Sequence, residues 1–115
     1  MANRFPRSVR LRRRFEFLEV QKRGRPVHTP HFVVLFRRRA EGGEAARVGI
    51  TVSRKVGNSV QRNRVKRLVR EAVRLGSALP AGHDVVVIAK VGATQLRRAA
   101  VEAELRTACA GAVRA

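Results

Sequence analysis

The stretch VGNSVQRNRVKRLVREAVRLG, residues 56–76, decides how the rest of the chain is read. Asn58 and Gln61 stand three residues apart, the spacing of a capping box, in which each side chain bonds the other residue's backbone N–H. A helix therefore opens after Asn58. At about 100° per residue, Val65, Leu68, Val69, Ala72 and Val73 fall on one side and predict a buried stripe. The helix runs to about Leu75, with Gly76 as its stop and Pro80 beyond.

The opposite side is nearly single-signed. Arg62, Lys66, Arg70 and Arg74 recur at intervals of four, Asn63 and Arg67 lie beside that line, and Arg64 approaches from the other flank. Glu71 is the only acid on the helix. Like charges at this spacing repel by roughly 0.2–0.5 kcal/mol per pair. Cations in the first turn also oppose the helix dipole. A segment selected for folding alone would scatter acids here, so the face predicts a docking surface for phosphates, with Asn63 able to donate and accept at a sugar or base edge.

Working outward, DVVVIAK at 84–90 is an almost unbroken apolar run of the kind buried on both faces, which predicts a central strand closed by Gly92. Thr94 is the expected cap of a last helix reaching about Ala110 and ending at Gly111, with Arg98/Glu102 and Glu102/Arg106 pairs four apart. Upstream, HFVVLFRR at 31–38 and RVGITV at 47–52 read as strands joined through EGGE at 41–44, a short connection that predicts an antiparallel hairpin. Phe32 and Phe36 are expected in the core. Residues 13–22 predict a first helix carrying Phe17, Leu18 and Val20, ended by Gly24 and Pro26. The order is α-β-β-α-β-α, a small α+β sandwich of one domain over residues 1–115, with residues 1–10 as a basic arm.

Composition points the same way. Hydrophobic residues form 44% of the 115, enough for a core, yet 26 Lys and Arg oppose 8 acids for a net charge of +18. Such an excess opposes compaction unless a polyanion relieves it, and nucleic acid is the expected partner. The lone Cys109 allows no intramolecular disulfide, and no apolar segment reaches the length of a membrane span, so a cytoplasmic protein without a membrane partner is expected.

Catalysis by the chain itself is not expected. The acids Glu16, Glu19, Glu41, Glu44, Glu71, Asp84, Glu102 and Glu104 are dispersed along the sequence, whereas two-metal phosphoryl chemistry needs clustered carboxylates. His28, His31 and His83 have no evident Cys or acid partner and read as surface histidines, and GNSVQRNRVK lacks the second glycine and GK[ST] of a phosphate-binding loop.

The string at 56–74, VGNSVQRNRVKRLVREAVR, closely resembles the signature of the ribonuclease P protein component, an RNR helix preceded by a K-x-G-N-x-V turn. The resemblance extends to RVGITVSRK, to the RLRRRFEF opening and to VVVIAK. It implies a non-catalytic protein subunit of a ribonucleoprotein endoribonuclease that removes the 5′ leader of precursor tRNA. The partners implied are the catalytic RNA and the precursor tRNA, with no protein partner required. No cofactor is expected on the protein, Mg²⁺ being brought by the RNA.

By that resemblance Arg62, Asn63, Arg64, Lys66, Arg67 and Arg70 contact the catalytic RNA, while Phe17, Arg54, Lys55 and Lys90 serve a cleft for the leader. It also implies a left-handed crossover around the RNR helix, where generic chirality predicts a right-handed one. Gln21 and Leu35 stand where relatives can carry aromatics, so leader stacking falls to Phe17, with Phe15, Phe32, Phe36 or arginine planes as alternatives, and leader affinity is expected to rest more on charge. The alternative weighed beside this reading is a structural, rRNA-binding ribosomal protein, with a DNA-binding architectural protein a weaker third.

Overall fold

The computed structural model describes residues 11, 14–39, 46–75 and 79–114. Its elements are α1 (Arg14–Arg23), β1 (Arg25–His28), β2 (Phe32–Arg38), β3 (Arg47–Thr51), α2 (Ser59–Leu75), β4 (His83–Ala89), a short 3₁₀ turn (Ala93–Gln95) and α3 (Arg98–Arg114). The four strands form one sheet in the order β1-β2-β4-β3.

Strand alternation sorts the sheet's side chains onto two faces. Phe32, Val34 and Phe36 of β2, Val85 and Val87 of β4 and Val48 of β3 meet Val65, Val69 and Ala72 of α2 and Val101 and Leu105 of α3 in the main core. Leu35 and Val86 point the other way and pack with Leu11 and with Val20 of α1 in a smaller one. The expected centrality of β4 holds, since Val85, Val86 and Val87 are all buried and strands flank both edges. The predicted stripe on α2 and the burial of Phe32 and Phe36 hold as well.

The expected hairpin does not form. β2 and β3 are separated by β4, which pairs antiparallel with β2 (Leu35 opposite Val86) and parallel with β3 (Ile50 opposite Val87). A strand apolar on both faces needs cover on both, which the middle of the sheet gives β4 through α2 and α3 on one side and α1 on the other, and that burial overrides the closeness of β2 and β3 in sequence. Consequently α2 is the crossover between two adjacent parallel strands.

A further strand, β1, changes the order to α-β-β-β-α-β-α. Its Pro26 suggested a break, but β1 is an edge strand paired with β2 alone, a place where a missing N–H is tolerated. Thr94 does not cap the last helix. It lies in the 3₁₀ turn, and α3 starts at Arg98 after Leu96 has turned extended. Nor does Gly111 end that helix, for α3 continues to Arg114, and a Cβ on Gly111 would stand 3.3 Å from Val27 Cγ1. The glycine there serves the close approach of α3 to β1. The turn expected at 41–44, the stop at Gly76 and the arm at 1–10 lie outside the described residues.

An ion-pair network joins elements whose acids look scattered in the sequence. Asp84 is buried and receives Arg47 in bidentate fashion, Nε to Oδ1 and Nη2 to Oδ2, each at 2.8 Å. Arg39 Nη1 donates to Asp84 Oδ1 at 2.9 Å and to the His83 carbonyl at 3.1 Å. Arg47 Nη1 also reaches Glu16 Oε2 at 3.2 Å and so ties α1 to β3. Burial pushes the Asp84 carboxyl up, but the hydrogen bonds and charges of Arg47 and Arg39 together hold it below the usual value.

Candidate RNA interface

The helix that carries the cations begins as its capping spacing predicts. Gln61 N–H donates to Asn58 Oδ1 at 2.8 Å and Asn58 N–H donates to Gln61 Oε1 at 2.9 Å. With the apolar stripe of α2 buried against the sheet and α3, the opposite side is left to solvent.

The expected contact residues and the cations beside them divide into three groups. Asn63, Arg67 and Arg70 are exposed on the outward strip. Arg62, Lys66 and Arg74 are half-buried along one flank, so three of the four residues spaced four apart mark the margin of the face and Arg70 alone of that line is exposed. Arg64, on the other flank, turns toward the 3₁₀ turn, where Nη1 donates to the Thr94 carbonyl at 2.9 Å and Nη2 to the Leu96 carbonyl at 3.1 Å. Its guanidinium therefore fixes the turn before α3 as well as bringing charge to the surface. Among the described residues Arg62, Lys66, Arg67 and Arg70 form no ion pair, and the buried Nε of Arg62 has no hydrogen-bond partner.

The residues expected at the leader cleft are only partly brought together. Phe17 lies over β3, where a Cβ on Gly49 would fall 2.5 Å from its Cε1 and Cζ, so the bare backbone of Gly49 is what admits the ring. A groove of about 390 Å³ beside it is lined by Arg14, Phe17, Leu18, Gln21 and Thr51. Arg54 and Lys55 stand exposed in the turn just after β3, and Lys90 follows β4. Because β3 and β4 are parallel, with Thr51 opposite Ile88, all three cations gather at one end of the sheet and outside the groove lining. Lys90 Nζ donates to the Thr29 carbonyl at 2.7 Å. Leu35 is buried in the smaller core and does not line the groove.

Four groove residues escaped the sequence reading as site residues, namely Arg14, Leu18, Gln21 and Thr51. The signal for two of them was available: Arg14, Phe17 and Gln21 recur at three and four, one face of a helix. Thr51 could be found only by placing α1 over β3.

The histidines also differ from expectation at one point. His31 has an acid partner, its Nδ1 lying 2.6 Å from Glu104 Oε2, while Glu104 Oε1 accepts from the Thr29 hydroxyl at 2.6 Å and from the His31 N–H at 2.8 Å. Burial raises the Glu104 carboxyl, and the bonds from Thr29 and His31 outweigh it and hold it low. This cluster fastens α3 to the β1–β2 turn. Cys109 is buried, burial pushes its thiol up, and it packs as a small apolar group. Among the described residues no three His, Cys, Asp or Glu come together in a way that could hold a metal ion, and no helix is long and apolar enough to cross a membrane.

A four-stranded sheet crossed by a helix with a nearly single-signed cationic face defines a small, basic α+β protein suited to a polyanionic partner. The ribonuclease P family model matches residues 5–113. The ribonuclease P protein component of Desulfovibrio desulfuricans is 52% identical over 103 residues, covering 87% of this chain and 79% of the relative. That of Geobacter sp. is 41% identical over 107 residues, covering 93% and 90%. Among solved structures, the RNase P protein of Staphylococcus aureus superposes with a TM-score of 0.80 at 30% identity, covering 90% of this chain and 94% of its own. The RNase P protein from Thermotoga maritima gives 0.74 at 34% identity, covering 85% and 96%. The chain belongs to the ribonuclease P protein family.

Proposed function

We propose that this protein is the RNA-binding subunit of a ribonuclease P ribonucleoprotein, serving tRNA processing by assisting a catalytic RNA in removing the 5′ leader of precursor tRNA. The observation that carries the proposal is the face of α2, where Asn63, Arg67 and Arg70 project outward and no acid among the described residues neutralises Arg67 or Arg70. Such a face gains most from a partner with closely spaced phosphates, each neutralised phosphate releasing bound counterions.

In this reading Arg62, Asn63, Arg64, Lys66, Arg67 and Arg70 hold the catalytic RNA. The leader lies along the groove between α1 and the sheet, on Phe17, and the cations Arg54, Lys55 and Lys90 receive its phosphates at the sheet end. The protein breaks no bond. Its most buried carboxylates are committed to other partners, Asp84 to Arg39 and Arg47 and Glu104 to Thr29 and His31, and do not fit a metal role. In this reading magnesium comes with the RNA. What the protein supplies is neutralisation where two RNAs crowd, which lets substrate bind at lower ionic strength. The rRNA-binding alternative is not favoured, since the family match spans nearly the whole chain.

Reconstitution with a bacterial ribonuclease P RNA tests the proposal. Leader removal should be accelerated by the protein, with the largest benefit at low Mg²⁺. An equal benefit at every Mg²⁺ concentration, or none, would contradict it.

A further inference from the structure

Lys90 is tied at both ends to one short turn. Its backbone N–H donates to the His31 carbonyl at 2.9 Å and its Nζ donates to the Thr29 carbonyl at 2.7 Å, so residues 29–31 fix the side chain at its root and at its tip. Glu104 of α3 grips the same turn. Its Oε1 accepts the Thr29 hydroxyl at 2.6 Å and the His31 N–H at 2.8 Å, and its Oε2 lies 2.6 Å from His31 Nδ1. The Thr29 hydroxyl oxygen also accepts the Phe32 N–H at 3.1 Å, and the Thr29 N–H donates to the Phe32 carbonyl at 2.8 Å. Thr29 is buried, and with its side chain and its N–H both committed its carbonyl is left facing Lys90.

A lysine ammonium has three donors, and the bond to Thr29 uses one, which leaves two for a phosphate. The four-carbon stem is flexible, and ordering it only when a ligand arrives lowers affinity. A backbone carbonyl orders the ammonium without cancelling its charge. A carboxylate in direct contact would cancel it, and among the described residues Lys90 pairs with no acid. Glu104 stands one step removed, its charge satisfied by Thr29 and His31 while its grip reaches Lys90 through them. We infer that Glu104 is a positioning residue for the leader: through Thr29 and His31 it holds the carbonyl that aims the Lys90 ammonium, so that a phosphodiester of single-stranded RNA meets a cation already in place. The inference rests on the leader-binding reading above and adds to it a residue of α3 that touches no leader atom.

The test compares binding of precursor tRNA with and without its leader by the protein reconstituted with a bacterial ribonuclease P RNA. The ratio of the two affinities is the leader's share. Glu104→Ala should reduce that share by about three- to tenfold, the range for ordering one long side chain on binding, and leave affinity for leaderless tRNA level. Glu104→Gln keeps an oxygen for the Thr29 hydroxyl and the His31 N–H and should restore most of the loss. Combined with Lys90→Ala, Glu104→Ala should lower the leader's share no further, because the group it positions is gone. Thr29→Val removes one bond of the clamp and should repeat this pattern at smaller amplitude, which serves if Glu104→Ala does not fold. A loss that persists undiminished beside Lys90→Ala, or that falls equally on leaderless tRNA, would overturn the inference, since Glu104 would then act on stability alone. An unchanged share in the clamp variants that fold would overturn it too. Lys90→Ala without effect on the share would instead remove the leader-binding reading at Lys90, on which the inference stands.

Discussion

Replacing Gly49 with alanine probes how α1 is seated on the sheet. The added Cβ would lie 2.5 Å from Cε1 and Cζ of Phe17 and 3.1 Å from Leu11 Cβ, well inside contact distance for both ring atoms. Phe17 cannot retreat freely, because Val20 one turn on is fully buried and Glu16 is held by Arg47 at 3.2 Å. Overpacking of this kind costs about 1–3 kcal/mol. Against it, replacing Gly within a strand returns about 0.5–1 kcal/mol of backbone entropy. The net expectation is a loss of about 1–2 kcal/mol, or roughly 4–10 °C in Tm for a domain of this size. Urea or thermal unfolding measures that loss directly. Precursor-tRNA binding should weaken together with it, because the displaced ring closes the groove, while affinity for the catalytic RNA alone should stay level. The double variant Gly49→Ala/Phe17→Leu should recover at least half of the lost stability. A single variant as stable as the native protein, with unchanged substrate binding, would refute the packing argument.

Other outcomes follow from the ion pairs and caps. Asp84→Asn leaves Arg39 and Arg47 without their shared carboxylate and should cost about 3 kcal/mol at neutral pH, measured by urea unfolding. In the native protein the Asp84 and Glu104 carboxyls are both held below their usual values, so their stabilisation is present in full above about pH 4–5. It should fade as pH falls through the lowered folded values, and a pH series of melts on the native protein and Asp84→Asn should converge at the acid end. Asn58→Ala removes half of the capping box and should cost about 1 kcal/mol with little effect on RNA affinity, since the lost bond is internal to α2.

Much of the site was legible before the fold was known, because α2 announces itself through local rules. Its cap, its stripe and its cations are set by spacings of three and four within one segment. What stayed hidden depends on residues distant in sequence. No local pattern says that β4 inserts between β2 and β3, that Arg47 links Glu16 with Asp84, or that Thr29 and His31 share Glu104. β1 escaped because four residues containing Pro26 carry almost no pattern, and their only support is the edge of β2. The start of α3 was misplaced because Thr94 has the chemistry of a cap, while the chain spends that position in a 3₁₀ turn held by Arg64. The groove was half legible: Phe17 could be named from its resemblance, but its partners Gln21 and Thr51 belong together only once Gly49 lets the ring lie on β3.

The decisive measurement is the salt dependence of affinity for a bacterial ribonuclease P RNA, compared between the native chain and Arg67→Ala/Arg70→Ala. Each exposed cation that neutralises a phosphate contributes roughly 0.7–0.9 to the slope of log affinity against log salt. The pair of substitutions should therefore flatten it by about 1.5, with Tm unchanged or slightly raised as repulsion along α2 is relieved. A slope identical to that of the native protein, in a variant that still folds, would mean that the outward face of α2 is not where RNA is held.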